Sequence, residues 1–232
     1  MSIQLLPQPL PANVIQALNA GLPAFSRSAN AAAQVQLMNV AQGGAGGSTY
    51  EVFTTGISGV MQGPAGMPNQ PAGWRVATRV GLVNMAADIY TVPRGGASPV
   101  AAGTPRLACV QTGTVVERML LATVKLTRWP DGQPVSGQYI ARLLILPGLF
   151  TESIWLVPPS DDATQSLLVP YHTLVRGFAP DMLYTPSEFF ALIRPVAEYW
   201  KDRPRLHKPA VSTSSAVKRP AETPSRGRGQ AV

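Results

Sequence analysis

Apolar and polar residues alternate along several short stretches of the chain, a period of two that is typical of β-strands with one buried face. The runs cover 34–40, 50–57, 74–82, 85–92, 107–111, 116–126, 139–146 and 150–157. Gly- and Pro-rich stretches separate most of them, as expected for turns. The pattern predicts a mainly β protein, an antiparallel barrel or sandwich of about seven or eight strands.

The stretch from Val116 to Leu146 is predicted to form the central hairpin of this sheet. Its first run places Leu120, Ala122 and Val124 on one face. Its second run is apolar on both faces, which is typical of a central strand. The Trp-Pro-Asp-Gly-Gln-Pro sequence between the runs has the composition of a turn.

Two helices are predicted, one near each end of the ordered part of the chain. Pro11 to Ala20 has the apolar spacing of a short helix. Thr185-Pro186-Ser187-Glu188 combines an N-cap, a first-turn proline and an N3 glutamate, and the C-terminal helix it starts runs towards Trp200. An apolar stripe on that helix is expected to dock on the sheet or on a neighbouring subunit. The stripe, our candidate for self-association, consists of Phe189, Leu192, Ile193, Val196 and Trp200.

These elements divide the chain into four regions. Residues 1–33 are expected to be an N-terminal arm with a short helix, 34–160 a β-rich core domain, and 161–202 a helical segment that packs on the core or on a neighbouring subunit. Residues 203–232 carry no apolar periodicity and are predicted to be a disordered basic tail.

Charge is concentrated in that tail. The whole chain has 19 Lys and Arg against 12 Asp and Glu, a net charge of +7. Residues 203–232 hold seven of the cations and one of the anions, so they carry +6 and the rest of the chain +1. The seven cations are Arg203, Arg205, Lys208, Lys218, Arg219, Arg226 and Arg228. We expect them to bind nucleic acid through counterion release.

A second group of candidate contacts lies in the strand 74–82. Arg75 and Arg79 fall on the same side of that strand, where a sheet facing nucleic acid would place them. Tyr50 or Tyr90 is a candidate stacking partner for them. The alternative is that the two arginines are simply solvated on an outer face.

Other chemistry is poorly represented. One cysteine and two histidines cannot form a Cys/His zinc site, and neither a nucleophile-elbow motif nor a phosphate-loop motif occurs. We therefore predict no enzyme activity, no cofactor and no metal. The N-terminal residues lack the features of a signal peptide, and the longest apolar run is too short for a membrane span. The sequence predicts an intracellular or virion protein that is not secreted and has no membrane partner.

Composition suggests one family. Ala (29), Pro (23) and Ser (15) are abundant, and the chain ends in the basic sequence KRPAETPSRGRGQAV. In these respects the chain resembles the proline-alanine-serine-rich proteins of polymycoviruses. The resemblance implies a protein that coats a double-stranded RNA genome, and it favours RNA over DNA as the partner.

We therefore expect a non-enzymatic, viral-type structural protein that self-associates and coats nucleic acid through its basic tail. The alternative is an OB-like protein of a mobile element that binds single-stranded nucleic acid on the sheet itself, through Trp74, Arg75 and Arg79.

Overall fold

The computed structural model describes residues 3–27, 29–91, 103–128, 137–179 and 182–201. These residues contain eight strands and five α-helices. The strands are β1 (Ile3–Leu6), β2 (Gly47–Thr54), β3 (Gly73–Val80), β4 (Val83–Thr91), β5 (Pro105–Thr112), β6 (Gly137–Leu146), β7 (Thr151–Val157) and β8 (Leu167–His172). The helices are α1 (Ala12–Gly21), α2 (Ala31–Ala41), α3 (Ile57–Met61), α4 (Thr114–Thr127) and α5 (Pro186–Lys201).

All eight strands belong to one mixed sheet. Its order is β5-β4-β3-β2-β6-β7-β8, with β1 paired in parallel to the start of β6. Strands β2 to β5 are antiparallel to one another, as are β6 to β8, and a parallel pairing of β2 with β6 joins the two halves. Strands β5 and β8 end the sheet without pairing to each other. The prediction of a β-rich fold with about eight strands is confirmed, and the predicted barrel or sandwich is wrong.

Helices cover both faces of the sheet. One face packs against α4, through a core that includes Val52, Leu143 and Ile154. The opposite face has two cores, one beneath α1 and α2 over β3 to β5, and one beneath α3 and α5 over β6 to β8. The apolar residues of β6 alternate between the two faces, with Leu143 towards α4 and Leu144 towards α5. This explains why the sequence of β6 is apolar on both sides, as predicted for a central strand.

The sheet is curved towards α4. Strands β2 and β6 lie between β3 and β7, so a flat sheet would separate the latter by about 14 Å. Nevertheless, Nη1 of Arg75 on β3 lies 2.9 Å from Oε2 of Glu152 on β7. The same guanidinium also pairs with Asp88 on β4, on the side of β3 away from β7, so it cannot reach across a flat sheet. Helix α4 contacts both edge strands, β5 and β8, as expected if the two halves of the sheet bend towards each other around it.

The first arm of the predicted central hairpin is helix α4, so that prediction is wrong. Val116, Met119, Ala122 and Leu126 are buried, a spacing of three to four residues that identifies the inner face of a helix. In a strand, Arg118 would have shared the apolar face and Met119 the polar face. The run is also rich in helix-forming residues. The predicted Pro-Asp-Gly turn lies outside the described residues.

The strand predicted at 34–40 is also a helix, α2. The Asn30 side chain accepts a hydrogen bond from the backbone N–H of Ala33 at 3.0 Å and caps its start. The buried residues Ala33, Leu37 and Val40 have helical spacing, which the partial alternation of Gln and apolar residues concealed. The β8 strand was not predicted because it contains Pro170, but a proline is compatible with a strand at the sheet edge.

The remaining predicted elements are confirmed within a few residues. Helix α5 begins with the expected capping box: Thr185 Oγ1 accepts from the backbone N–H of Glu188 at 3.3 Å, and the backbone N–H of Thr185 donates to Glu188 Oε2 at 2.8 Å. The hydrogen bonds that the backbone N–H and the hydroxyl of Thr185 donate to Glu188 Oε2 lower the pKa of that carboxyl. Within the described ranges, every helix is too short or too polar to cross a bilayer.

The assignment of 114–127 as a helix can be tested at Leu121, which lies in mid-helix with its side chain exposed. Leu121→Pro should lower the free energy of unfolding by about 3 kcal/mol or more, because proline removes a helical hydrogen bond and clashes with the preceding turn. Leu121→Ala should change it little. Urea denaturation compares the two, and similar midpoints for both variants would contradict the helix.

Candidate functional site

The structure separates the predicted nucleic-acid contacts. Seven lie outside the described residues: Arg203, Arg205, Lys208, Lys218, Arg219, Arg226 and Arg228. Of the other two, Arg75 is buried and Arg79 is exposed. Both point towards the α4 side of the sheet, as their alternation predicted, but only Arg79 lies where a large ligand can reach it.

Arg75 is the centre of a buried ion network, and the prediction that it projects towards nucleic acid is wrong. Only 2% of its surface is exposed. Its Nε donates to Oδ1 of Asp88 at 2.6 Å and its Nη2 to Oδ2 at 3.0 Å, a bidentate pair with the residue opposite it on β4. Its Nη1 donates to Oε2 of Glu152 at 2.9 Å. The guanidinium therefore joins β3 and β4 to the distant β7.

Polar side chains complete this network. The hydroxyl of Tyr171 on β8 donates to Glu152 Oε2 at 2.6 Å and lies 3.3 Å from Nη1 of Arg75. Burial disfavours the charge on Arg75, but the hydrogen bonds and negative charge of Asp88 outweigh it and hold the pKa of Arg75 above its ordinary value. Burial raises the pKa of Tyr171, so its hydroxyl remains a donor. The arrangement binds the strands together and offers no open guanidinium.

Cys109 lies at the edge of the same network. Its thiol is within 3.6 Å of Oδ2 of Asp88, which also accepts a hydrogen bond from Nε2 of Gln111 at 2.9 Å. Burial and the negative charge of Asp88 raise the pKa of the Cys109 thiol from 9.0 to about 11. The thiol is therefore protonated at neutral pH, and it is half-buried.

The aromatic residues proposed to contact bases are buried or packed against the hydrophobic cores. Tyr50 is buried, and its hydroxyl lies 2.8 Å from Oγ1 of Thr123 on α4. Trp74 is half-buried against the core beneath α1 and α2. Tyr90 is half-buried in the core beneath α4, and burial together with the charge of Asp88 raises its pKa to about 12. None of these three rings lies on an open face of the sheet.

A cationic surface that the sequence did not predict lies on the outer face of α4. Arg118, Lys125 and Arg128 are exposed and follow one another at i, i+7 and i+10, so they share one side of the helix. We call these three residues the α4 basic face. A cleft of about 390 Å³ between α4 and β8 is lined by Arg118 and Lys125. In a strand, Arg118 and Lys125 would point to opposite sides, which is why the hairpin prediction concealed this surface.

The apolar stripe of α5 mainly packs inside the chain. Phe189 and Ile193 are fully buried in the core beneath α5. Leu192 and Val196 are half-buried, and Trp200 is exposed over 42% of its surface. Of the two alternatives for this stripe, the structure shows docking on the chain's own sheet. Phe189 and Ile193 are therefore not available as a self-association surface, and their assignment to one is wrong.

The described part of the chain contains no group of three or more His, Cys, Asp or Glu side chains placed to hold a metal ion. His172 is half-buried on β8, and its Nδ1 is buried without a hydrogen-bond partner. Asp162, in a loop, accepts from the hydroxyl of Thr164 at 2.7 Å, which lowers the pKa of the Asp162 carboxyl.

Replacing Arg75 with an uncharged residue should strongly destabilise the folded chain. Arg75→Met should lower the free energy of unfolding by about 3–5 kcal/mol, because it leaves the carboxylates of Asp88 and Glu152 buried without their cation. Arg79→Met, at the exposed position on the same strand, should change it by less than about 0.5 kcal/mol. Chemical denaturation measures both. Adding Asp88→Asn and Glu152→Gln to Arg75→Met should recover part of the loss, and no recovery would contradict the electrostatic explanation.

The thiol of Cys109 should react slowly at mildly alkaline pH. Its raised pKa leaves about a hundredfold less thiolate at pH 8 than a thiol of pKa 9 would have. The rate of iodoacetamide alkylation should therefore keep rising until the pH approaches 11. A matched control is Leu82→Cys in a Cys109→Ser background, because Leu82 is exposed. Equal rates for the two thiols at pH 8 would contradict the role of Asp88 and burial.

Comparison with known proteins gave no match to a protein-family model, a curated protein or a solved structure. The resemblance to the polymycovirus proteins therefore stays a prediction from composition.

Proposed function

We propose that this protein is a non-enzymatic structural protein that binds nucleic acid, with RNA favoured, and associates with copies of itself. The observation that carries the proposal is the segregation of charge: residues 203–232 hold seven cations and one anion, while the rest of the chain is close to neutral. A polymer of phosphates is the partner that such a distribution fits, because each neutralised phosphate releases a bound counterion.

The α4 basic face supports the same proposal from the described residues. Arg118, Lys125 and Arg128 lie along about 15 Å of helix, given a rise of 1.5 Å per residue. Exposed cations at this spacing can contact successive phosphates of one strand without reading bases. Their contribution adds to that of the basic segment and predicts binding with little sequence preference.

The OB-like alternative depends on an open sheet face. Helix α4 covers one face, and α1, α2, α3 and α5 cover the other. Arg75 is enclosed by Asp88 and Glu152, and Trp74 packs in the core beneath α1 and α2. These observations favour phosphate contacts by surface cations over base stacking on the sheet.

Removal of residues 203–232 should abolish binding at physiological salt, because it leaves only the three cations of the α4 basic face. Seven phosphate contacts from that segment and three from the α4 basic face predict a log–log salt slope of about −7 to −9 for the full chain. Fluorescence anisotropy with labelled single-stranded RNA, double-stranded RNA and double-stranded DNA, between about 50 and 200 mM salt, measures the slope and the preferred partner. A full chain that binds none of the three at low salt would end the proposal.

Within the full chain, neutralising the α4 basic face tests the second contribution. Arg118→Gln, Lys125→Gln and Arg128→Gln together should reduce the steepness of the salt slope by about 2 to 3. A matched control neutralises three exposed arginines outside α4, Arg27, Arg106 and Arg194. Its salt slope should stay steeper than that of the triple α4 variant. Equal slopes for the two triple variants would remove α4 from the interface.

A further inference from the structure

A groove of about 510 Å³ lies along the flank of α4 that faces the β3–β4 hairpin. One wall is α4, and the other is the end of β2 and the α4-facing side of the hairpin. The residues lining it are Gly46, Gly47, Ser48, Arg79, Asn84, Glu117, Leu120, Leu121, Thr123 and Val124. Arg79 and Asn84 are opposite each other in the register of β3 and β4, so they form one continuous patch of the sheet wall.

The rim of this groove exposes large apolar side chains. Leu121 is 51% exposed and Val124 is 44% exposed, both on α4. Leu82, in the turn of the facing hairpin, is 89% exposed. Exposed apolar residues grouped around a groove mark an interaction surface more often than a solvated one.

Opposite charges stand on the two walls. Arg79 projects from the sheet wall and Glu117 from the helix wall. Arg79 Nε donates to the carbonyl oxygen of Gly81 at 3.1 Å, and neither Arg79 nor Glu117 has an ion-pair partner among the described residues. The groove thus carries no net charge, unlike the α4 basic face, which adjoins it at Leu121.

We propose that this groove pairs with the same groove of a second copy about a two-fold axis. A two-fold rotation about an axis through the groove exchanges its two walls, so Arg79 of one copy meets Glu117 of the other, twice. Leu121 and Val124 on the helix wall then pack against the hairpin wall of the other copy, which carries Leu82, and exposed apolar area is removed from water.

The charge pattern selects a second copy over nucleic acid as the occupant. A phosphate backbone in the groove would meet Glu117 as well as Arg79, whereas a second copy satisfies both side chains. Ten residues line the groove, against about 20 to 30 per side in an interface of standard size. The dimer is therefore expected to be reversible and dependent on concentration.

This inference gives the self-association in the proposed function a surface, and it rests on that part alone. The test uses the nuclease-treated full chain and needs no nucleic acid. Sedimentation velocity over a concentration series should show a monomer–dimer equilibrium. Arg79→Glu and Glu117→Arg should each weaken it by about tenfold or more, because each places like charges opposite one another.

Mixing these two variants gives the decisive measurement. In a mixed dimer the introduced glutamate of one variant faces the introduced arginine of the other, and the second contact pairs the opposite charges that both variants retain. The equimolar mixture should therefore dimerise as the unmodified chain does. The double variant carrying both changes should dimerise too, while Leu121→Asp should not. Arg106→Glu, an exposed charge reversal away from the groove, is the control and should leave dimerisation unchanged.

Three results would overturn the inference: a chain that is monomeric at every concentration, single variants that dimerise normally, or a mixture that fails to recover. Anisotropy with RNA distinguishes these from a failure of the proposed function, since Glu117→Arg, which removes a negative charge and should not dimerise alone, should still bind RNA. Loss of RNA affinity in Arg79→Glu with unchanged dimerisation would make Arg79 a phosphate contact instead. Circular dichroism confirms that each variant is folded.

Discussion

The architecture depends on one buried positive charge. A guanidinium without water or a counter-charge is too costly to bury, so Arg75 must remain within reach of carboxylates on both sides. Asp88 comes from the neighbouring strand β4, but Glu152 comes from β7, in the other half of the sheet. Holding both requires the sheet to curve, and the curved sheet forms the surface on which α4 packs. Met119 covers the network on the α4 side, with its sulfur 3.8 Å from Nη1 of Arg75.

Helix α4 links this interior to the surface. Its inner residues, including Met119 and Leu126, are buried against the curved sheet, and Thr123 contacts the hydroxyl of Tyr50. Its outer side carries two different surfaces, the α4 basic face towards β8 and the neutral groove towards the β3–β4 hairpin. The two surfaces adjoin, because Leu121 lines both the groove and the cleft beside the α4 basic face.

The low charge of the described part of the chain is consistent with this division. Arg75 and Asp88 form a buried ion pair, so their charges neutralise each other in the interior. Arg142 is held by Glu51 at 3.0 Å and by Asp161 at 2.8 Å. Nine of the eleven described Lys and Arg residues remain exposed, and three of them lie together on α4. The net positive charge of the chain therefore comes mainly from residues 203–232, which carry +6 of the +7.

The amino-acid sequence determined the local features. Alternation located six of the eight strands, the capping box located α5, and the excess of Arg and Lys located the basic segment, because each depends on residues close together in the chain. The sequence did not determine the secondary structure of 116–126 or 34–40, because the apolar residues there fit both the period of a strand and that of a helix. It also could not show that Arg75 is buried, since alternation places a side chain on a face without showing what covers that face. Tertiary packing decided these points: Glu152 and Tyr171 lie far from Arg75 in the chain, and only curvature of the sheet around α4 brings their oxygens to its guanidinium.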